Sequence, residues 1–272
     1  MHIRTYRSTK TAKHSVLTII TALANQNLIT NLTIAINLIM KRSINILMFL
    51  VAFSATVSAQ KLNHLSKSNQ KKGWVLLFDG ESTKGWTTTN GGDVPSGWKV
   101  VDGTLTATAQ DKGGDIVAAG EFSDFELKLD YKVALASNSG VKYFYTKYAN
   151  GGDLGLEYQI LDDELAEDNG QANHLAGSLY DILEPSKGLK KLNRAGEWNS
   201  IKIIAKGKTV EHWLNDYKIL SFERDSKDFK DGVAASKFSK ADPAFGSINK
   251  GRILLQEHGG EVSFRNIKIR KL

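Results

Sequence analysis

Glu157 and Gln159 alternate with Leu156, Tyr158 and Ile160 in the run Gly155-Leu156-Glu157-Tyr158-Gln159-Ile160-Leu161-Asp162-Asp163. Successive side chains of an extended strand point to opposite faces. The three apolar residues therefore face a core, and the acid and amide stand together on the outer face. In the run from Arg252 to His258, Gln256 and His258 likewise share a face, opposite Ile253, Leu255 and Glu257. A carboxyl, two amides and an imidazole brought together could hydrogen-bond sugar hydroxyls and move protons. Trp213, which shares a face with Glu211, would add a flat apolar surface for a sugar ring. Taken singly, each polar residue also suits a solvated sheet face, and Trp213 also suits a core. Trp74, Trp86, Trp98 and Trp198 read as core, and His212 as a hydrogen-bonded core or turn histidine.

Residues 162–174 are rich in acids and follow the Glu157 strand directly. Oxygen ligands of this kind hold hard cations, so a divalent metal such as calcium is conceivable, with Glu157, Asp162 and His258 as candidate ligands. The spacing does not match a helix–loop–helix calcium site, and a solvated acidic loop is the simpler reading. His174, at the end of the loop, is placed to reach back over the strand as an acid or base. The chain carries no Gly-x-Ser-x-Gly elbow, phosphate loop, His-Glu-x-x-His or dinucleotide fingerprint, which removes the main support for serine-hydrolase, nucleotide and zinc-protease readings.

These residues need a scaffold of strands. Short β-rich runs occur at 74–78, 98–108, 125–134, 140–148, 156–161, 178–183, 200–206, 209–214, 218–223, 252–257 and 262–270, separated by Gly, Asn and Asp. That pattern predicts an antiparallel sandwich or barrel. Asp102-Gly103, Lys206-Gly207-Lys208 and Asn215-Asp216 supply residues that tolerate positive φ and read as hairpin turns. The one expected helix lies around 232–238, and no internal repeat is present.

The 272 residues suit one large domain beginning near Gly73. Met40-Lys41-Arg42, the apolar run 44–57 and Val57-Ser58-Ala59 read as a signal peptide cleaved after Ala59, with 1–39 an extension upstream of the true start and 60–72 a flexible tether. The apolar run is too short to span a bilayer, so the expectation is a periplasmic or extracellular protein with no membrane contact after cleavage. The formal charge of +7 comes from 36 basic against 29 acidic residues, but residues 1–59 hold six of the basic ones and no acid. The remainder is nearly neutral, which gives no electrostatic case for a nucleic-acid partner. With no cysteine, disulfides, thiolate metal sites and a cysteine nucleophile are all excluded.

Several blocks occur in a fixed order: Leu77-Phe78-Asp79-Gly80 with Gly85-Trp86, the Glu157 strand, Gly177-Ser178-Leu179-Tyr180-Asp181, Gly196-Glu197-Trp198-Asn199, Val210 to Asn215, Leu255-Gln256-Glu257-His258-Gly259 and Phe264-Arg265-Asn266-Ile267. Together they resemble the 3-keto-disaccharide hydrolase domain family over 73–272. The resemblance implies a concanavalin A-like jelly-roll of two antiparallel sheets that acts at C1 of a glycoside already oxidised to a ketone at C3. The substrate would be an oligosaccharide or glycoside supplied by a sugar 3-oxidoreductase. Carried onto this chain, it points to Glu157, Gln159, Tyr180, Trp213, Asn215, Gln256, His258 and Arg265; we assign catalytic roles to Glu157, His258 and the loop residue His174, and substrate binding to Gln159, Tyr180, Trp213, Asn215, Gln256 and Arg265. One departure stands out. Family members often have His-Pro-Asp after the paired aspartates, and here the stretch is Ala166-Glu167-Asp168. The same sandwich also serves non-catalytic glycan-binding modules, which remain the alternative.

Overall fold

The computed structural model describes residues 23, 25, 26, 28–41, 61–108, 113–149 and 152–272. The chain divides into units 1–60 and 61–272. In the first, residues 28–41 are helical, and the expected signal segment from 42 to 59 lies outside the described residues. No helix among the described residues is long and apolar enough to cross a membrane.

The second unit is a two-layer β-sandwich. Its strands are β1 (Val75–Leu76), β2 (Trp86–Thr88), β3 (Trp98–Val101), β4 (Thr104–Ala107), β5 (Ile116–Ala118), β6 (Phe125–Val133), β7 (Asn138–Lys147), β8 (Asp153–Leu161), β9 (Asn199–Lys206), β10 (Thr209–Leu214), β11 (Tyr217–Glu223), β12 (Arg252–Leu255) and β13 (Val262–Lys271). The larger sheet runs β11-β10-β9-β6-β13-β4-β3, with β1 also on β13, and the smaller runs β2-β5-β12-β7-β8. Among the described residues the pairings between these strands are antiparallel. This is the concanavalin A-like sandwich expected from the sequence.

Alternation builds the core between the sheets. In β6, Phe125, Leu127, Leu129, Tyr131 and Val133 point inward and are buried, while Lys128, Asp130 and Lys132 point out. Leu156, Tyr158 and Ile160 of β8 meet them from the other sheet. The hairpins form where expected. Asp102 and Gly103 join β3 to β4 at φ 48° and 73°, and Asn215 and Asp216 join β10 to β11 at φ 45° and 67°. Both pairs occupy the left-handed region that tight hairpin turns require.

Four expectations need correction. The segment 60–72 is not a free tether from Lys61 onward: Asn63 and Leu65 are buried, and Lys67–Lys71 is a short helix capped by Ser66. The helix expected at 232–238 lies earlier, at Lys227–Ala235, because the Ser226 hydroxyl caps the Phe229 amide and buried Phe229 stacks on Phe222; only a 3-10 turn follows at Lys237–Lys240. Residues 178–183 make isolated bridges from Leu179 to Tyr158 and Leu183 rather than a strand. Trp198 is half-buried, sandwiched beneath Lys132 and Arg265 rather than in the core.

Candidate active site

The outer face of β8 is not open to solvent. Glu157 and Gln159 do point away from the core as the alternation requires, yet they are 6% and 1% exposed. The loop after β8 folds back along its edge, where the Tyr180 amide donates to the Glu157 carbonyl and the Gly177 amide to that of Gln159. What reads in the sequence as a solvated face is therefore the floor of a covered site.

Glu157 faces Lys142, its cross-strand partner on β7, with Nζ 3.9 Å from Oε2; the same ammonium lies 3.7 Å from Asp115. The Gln159 amide stands 3.3 Å from Glu157 Oε1 and 3.1 Å from the Ser139 carbonyl oxygen, and its NH2 group turned there donates to both. Burial drives the Glu157 pKa up. Lys142 and Lys237 pull it down, Asp115 and Asp168 raise it, and the balance falls at about 7 against an ordinary 4.5. At neutral pH the carboxyl is divided between its two forms, the condition that suits a proton-transfer group.

His174 closes the site from the loop. Its Nδ1 lies 2.6 Å from Asp168 Oδ1 and its Nε2 3.0 Å from Asp181 Oδ1. Burial opposes a charge on this ring, but the hydrogen bonds to Asp181 and Asp168 outweigh it and raise the pKa. Set between two carboxylates, the ring has no nitrogen left free of a partner, and when protonated it donates from both. The other oxygen of Asp168 accepts from the Tyr180 hydroxyl at 2.8 Å, and Lys237 Nζ lies 4.2 Å from the centre of the Tyr180 ring. In Ala166-Glu167-Asp168, the aspartate of the family pattern is thus kept and engaged by His174. Ala166, where members often carry histidine, is buried against Leu161 and Ala176.

Beside this cluster opens a cleft of about 750 Å³, lined among others by Ser137, Asn138, Asp168, Tyr180, His258 and Glu261. His258 is exposed at its wall, and the preceding Gln256 is tied to β7 through its amide on the Gly140 carbonyl and its carbonyl on the Ser139 hydroxyl. Glu157, Gln159, Tyr180, His174, Gln256 and His258 therefore belong to one side of the sandwich.

Trp213, Asn215 and Arg265 do not. Tyr158 reaches through the core to donate to the Trp213 carbonyl, while the indole points out of the larger sheet, where its N–H donates to Glu211 and Lys202 Nζ lies 3.4 Å from the ring centre. Arg265 binds Asp130 and stacks on Trp198 on that same far face. Asn215 is a turn residue whose side chain accepts from the Ser200 amide and donates to the Lys191 carbonyl. The candidate metal ligands also separate: Asp162 accepts from the amides of Ala136 and Glu164, and among the described residues no three His, Cys, Asp or Glu side chains are grouped to hold an ion. His212 is the satisfied core histidine expected, bonded to the Tyr143 hydroxyl and the Gly177 carbonyl, and burial holds its pKa down at about 4.

Fold and site together define a concanavalin A-like sandwich with a buried acid–base cluster roofed by a loop on the outer face of the smaller sheet. The chain belongs to the 3-keto-alpha-glucoside-1,2-lyase-like domain family, whose profile matches residues 73–270. It is 32% identical over 255 aligned positions to the 3-keto-disaccharide hydrolase of Bacteroides thetaiotaomicron, covering 82% of this chain and 86% of that protein. Two crystal structures of candidate glycosyl hydrolases from Parabacteroides distasonis are also similar. One is 34% identical with a TM-score of 0.69, covering 78% of this chain and all of that one. The other is 28% identical with a TM-score of 0.56, covering 73% and 99%.

Proposed function

We propose that this chain is a carbohydrate-active enzyme that cleaves 3-keto-glycosides at C1 by elimination followed by addition of water. The observation that carries this reading is Glu157, a buried carboxyl with a pKa near 7 beside a cleft that is lined by His258, Tyr180 and Asp168. A ketone at C3 acidifies the proton on C2. His258 takes that proton, the C1–C2 double bond forms as the C1–O bond breaks, and Glu157 in its neutral form protonates the departing oxygen. Water then adds at C1 while a proton returns to C2, giving net hydrolysis to the keto-sugar. Gln159, Gln256 and Tyr180 hold hydroxyls and the ketone, with Lys142 supplying positive charge beside the developing enolate. Such a substrate requires an oxidoreductase acting at C3 upstream. The leader-like sequence before residue 60 supports a site of action in the periplasm or outside the cell.

The test is to offer the purified protein 3-keto-glucosides and their unoxidised parents while following enone absorbance and released aglycone. Release from the keto form alone, reduced 100-fold or more by Glu157→Gln with the fold intact, is the expected result. No release across a broad panel, with micromolar binding of unoxidised glycans, would replace this reading with that of a glycan-binding module.

A further inference from the structure

The far side of the sandwich carries a feature that the cleft does not use. On the outer face of the larger sheet, the strand registers align Lys218 with Trp213, Trp213 with Lys202, Lys202 with Lys128, and Lys128 with Lys268. These five residues form one row across β11, β10, β9, β6 and β13. Strands are spaced by about 4.8 Å, so three lysines stand side by side at that interval. Like charges placed directly opposite across strands are destabilising.

Relief within the protein is partial. Lys128 pairs with Glu126 at 3.1 Å and Lys218 with Glu211 at 3.0 Å. Lys202 and Lys268 have no carboxylate within ion-pair distance among the described residues and instead lie over indoles, at 3.4 Å from the centre of Trp213 and 5.7 Å from that of Trp74. Burial lowers the pKa of both, and the charge of Lys128 lowers each further. Trp213 stands within the row and Trp74 beside it, and both rings already lie under cations, which leaves the ammonium groups rather than the rings to meet a ligand.

We propose that this row is a second binding site, for a linear acidic polysaccharide whose carboxylates meet the ammonium groups. A uronate chain offers one negative charge per sugar unit and hydroxyls for the flanking polar groups. An outer sheet face admits such a chain, whereas the covered indoles deny nucleic-acid bases the stacking surface that single-strand binding uses. The choice of a glycan rests on the carbohydrate reading of the cleft; the charge row does not.

The experiment measures binding of the full chain to polygalacturonate, to its methyl-esterified form, to single-stranded DNA of matched charge and to anionic phospholipid vesicles, at low and high salt. Turnover of the keto-glycoside is followed in parallel. The expected result is salt-sensitive binding of polygalacturonate alone, weakened at least tenfold by Lys202→Gln with Lys268→Gln. That double variant removes like-charge repulsion along with two cation–indole contacts, so it should stay folded, and it should keep full turnover. Absence of binding at low salt, equal binding of the ester, tighter binding of DNA or vesicles, or an unchanged double variant each overturns the proposal. Failure of the cleft reading shows separately, as wild-type protein without turnover.

Discussion

Glu157 couples chemistry to stability. Its folded pKa of about 7 lies above the ordinary 4.5, so between those values the folded protein holds a proton that the unfolded chain has released. Stability is therefore undiminished below about pH 4.5, falls as pH rises, and carries the full cost of the buried charge above about pH 7, roughly 3 kcal/mol for a shift of this size. In Glu157→Gln the neutral amide has no such cost. Its melting temperature should change less between pH 5 and pH 8 than that of wild type and exceed it at pH 8; parallel curves would show that the carboxyl is not desolvated. The identity of this residue was legible in the sequence, because alternation alone separates it from Leu156 and Tyr158. Its burial was not, because the covering loop bonds to the backbone of β8, and backbone bonds leave no side-chain pattern. Asp168, Asp181, Lys142 and Lys237 escaped for a related reason: they sit on separate segments brought together only by that loop and by β7.

Elements locate the site through two local decisions, one in β7 and one in the β10–β11 turn. Gly140 of β7 lies opposite Gln159, and a methyl group placed on it would stand 2.3 Å from Glu157 Oε1 and 2.9 Å from its carboxyl carbon. Gly140→Ala should therefore push the carboxyl off its position. A displacement near 1 Å at a catalytic group costs on the order of 100-fold in rate, and kinetics of the purified variant would register it in kcat; wild-type kcat would mean that Glu157 moves without penalty. Asn215 shows the converse. The sequence places it among sugar-binding residues, yet at φ 45° it shapes a hairpin and its side chain holds the Ser200 amide and the Lys191 carbonyl. Asn215→Ala should lower stability by about 1–2 kcal/mol in denaturant titration while leaving KM and kcat unchanged. Strand parity was readable because it needs only neighbours in sequence. Which outer face a strand shows was not, since Trp213 and Glu157 alternate alike but belong to opposite sheets.

At the scale of the molecule, the sandwich is closed by a segment that composition alone assigns to a linker. Residues 60–72 are polar and lack apolar periodicity, so nothing in them announces packing. Asn63 makes the tie: it donates its amide to Asn266 Oδ1 at 2.8 Å, accepts the Asn266 amide on its own Oδ1 at 2.8 Å, and donates from Nδ2 to the Gly103 carbonyl at 2.8 Å. Both asparagines sit at positive φ, 50° and 55°, and their reciprocal pair ties residues 61–72 to the bulge in β13 and to the β3–β4 turn. Gly80 accommodates the contact, since a methyl group there would lie 2.5 Å from Asn63 Nδ2. The Asn266 side chain also donates to Asp130, so the clasp reaches the middle of β6. Asn63→Ala removes two of these bonds and leaves the Asn266 amide and the Gly103 carbonyl without partners, a loss of about 2–4 kcal/mol. Thermal unfolding of that variant should show the melting temperature fall by several degrees while keto-glycoside turnover at low temperature is retained, because the clasp lies on the larger sheet, away from Glu157. An unchanged melting temperature would mean that residues 61–72 rest on the sandwich without stabilising it, and that the folded domain begins at Gly73 as its sequence alone suggests.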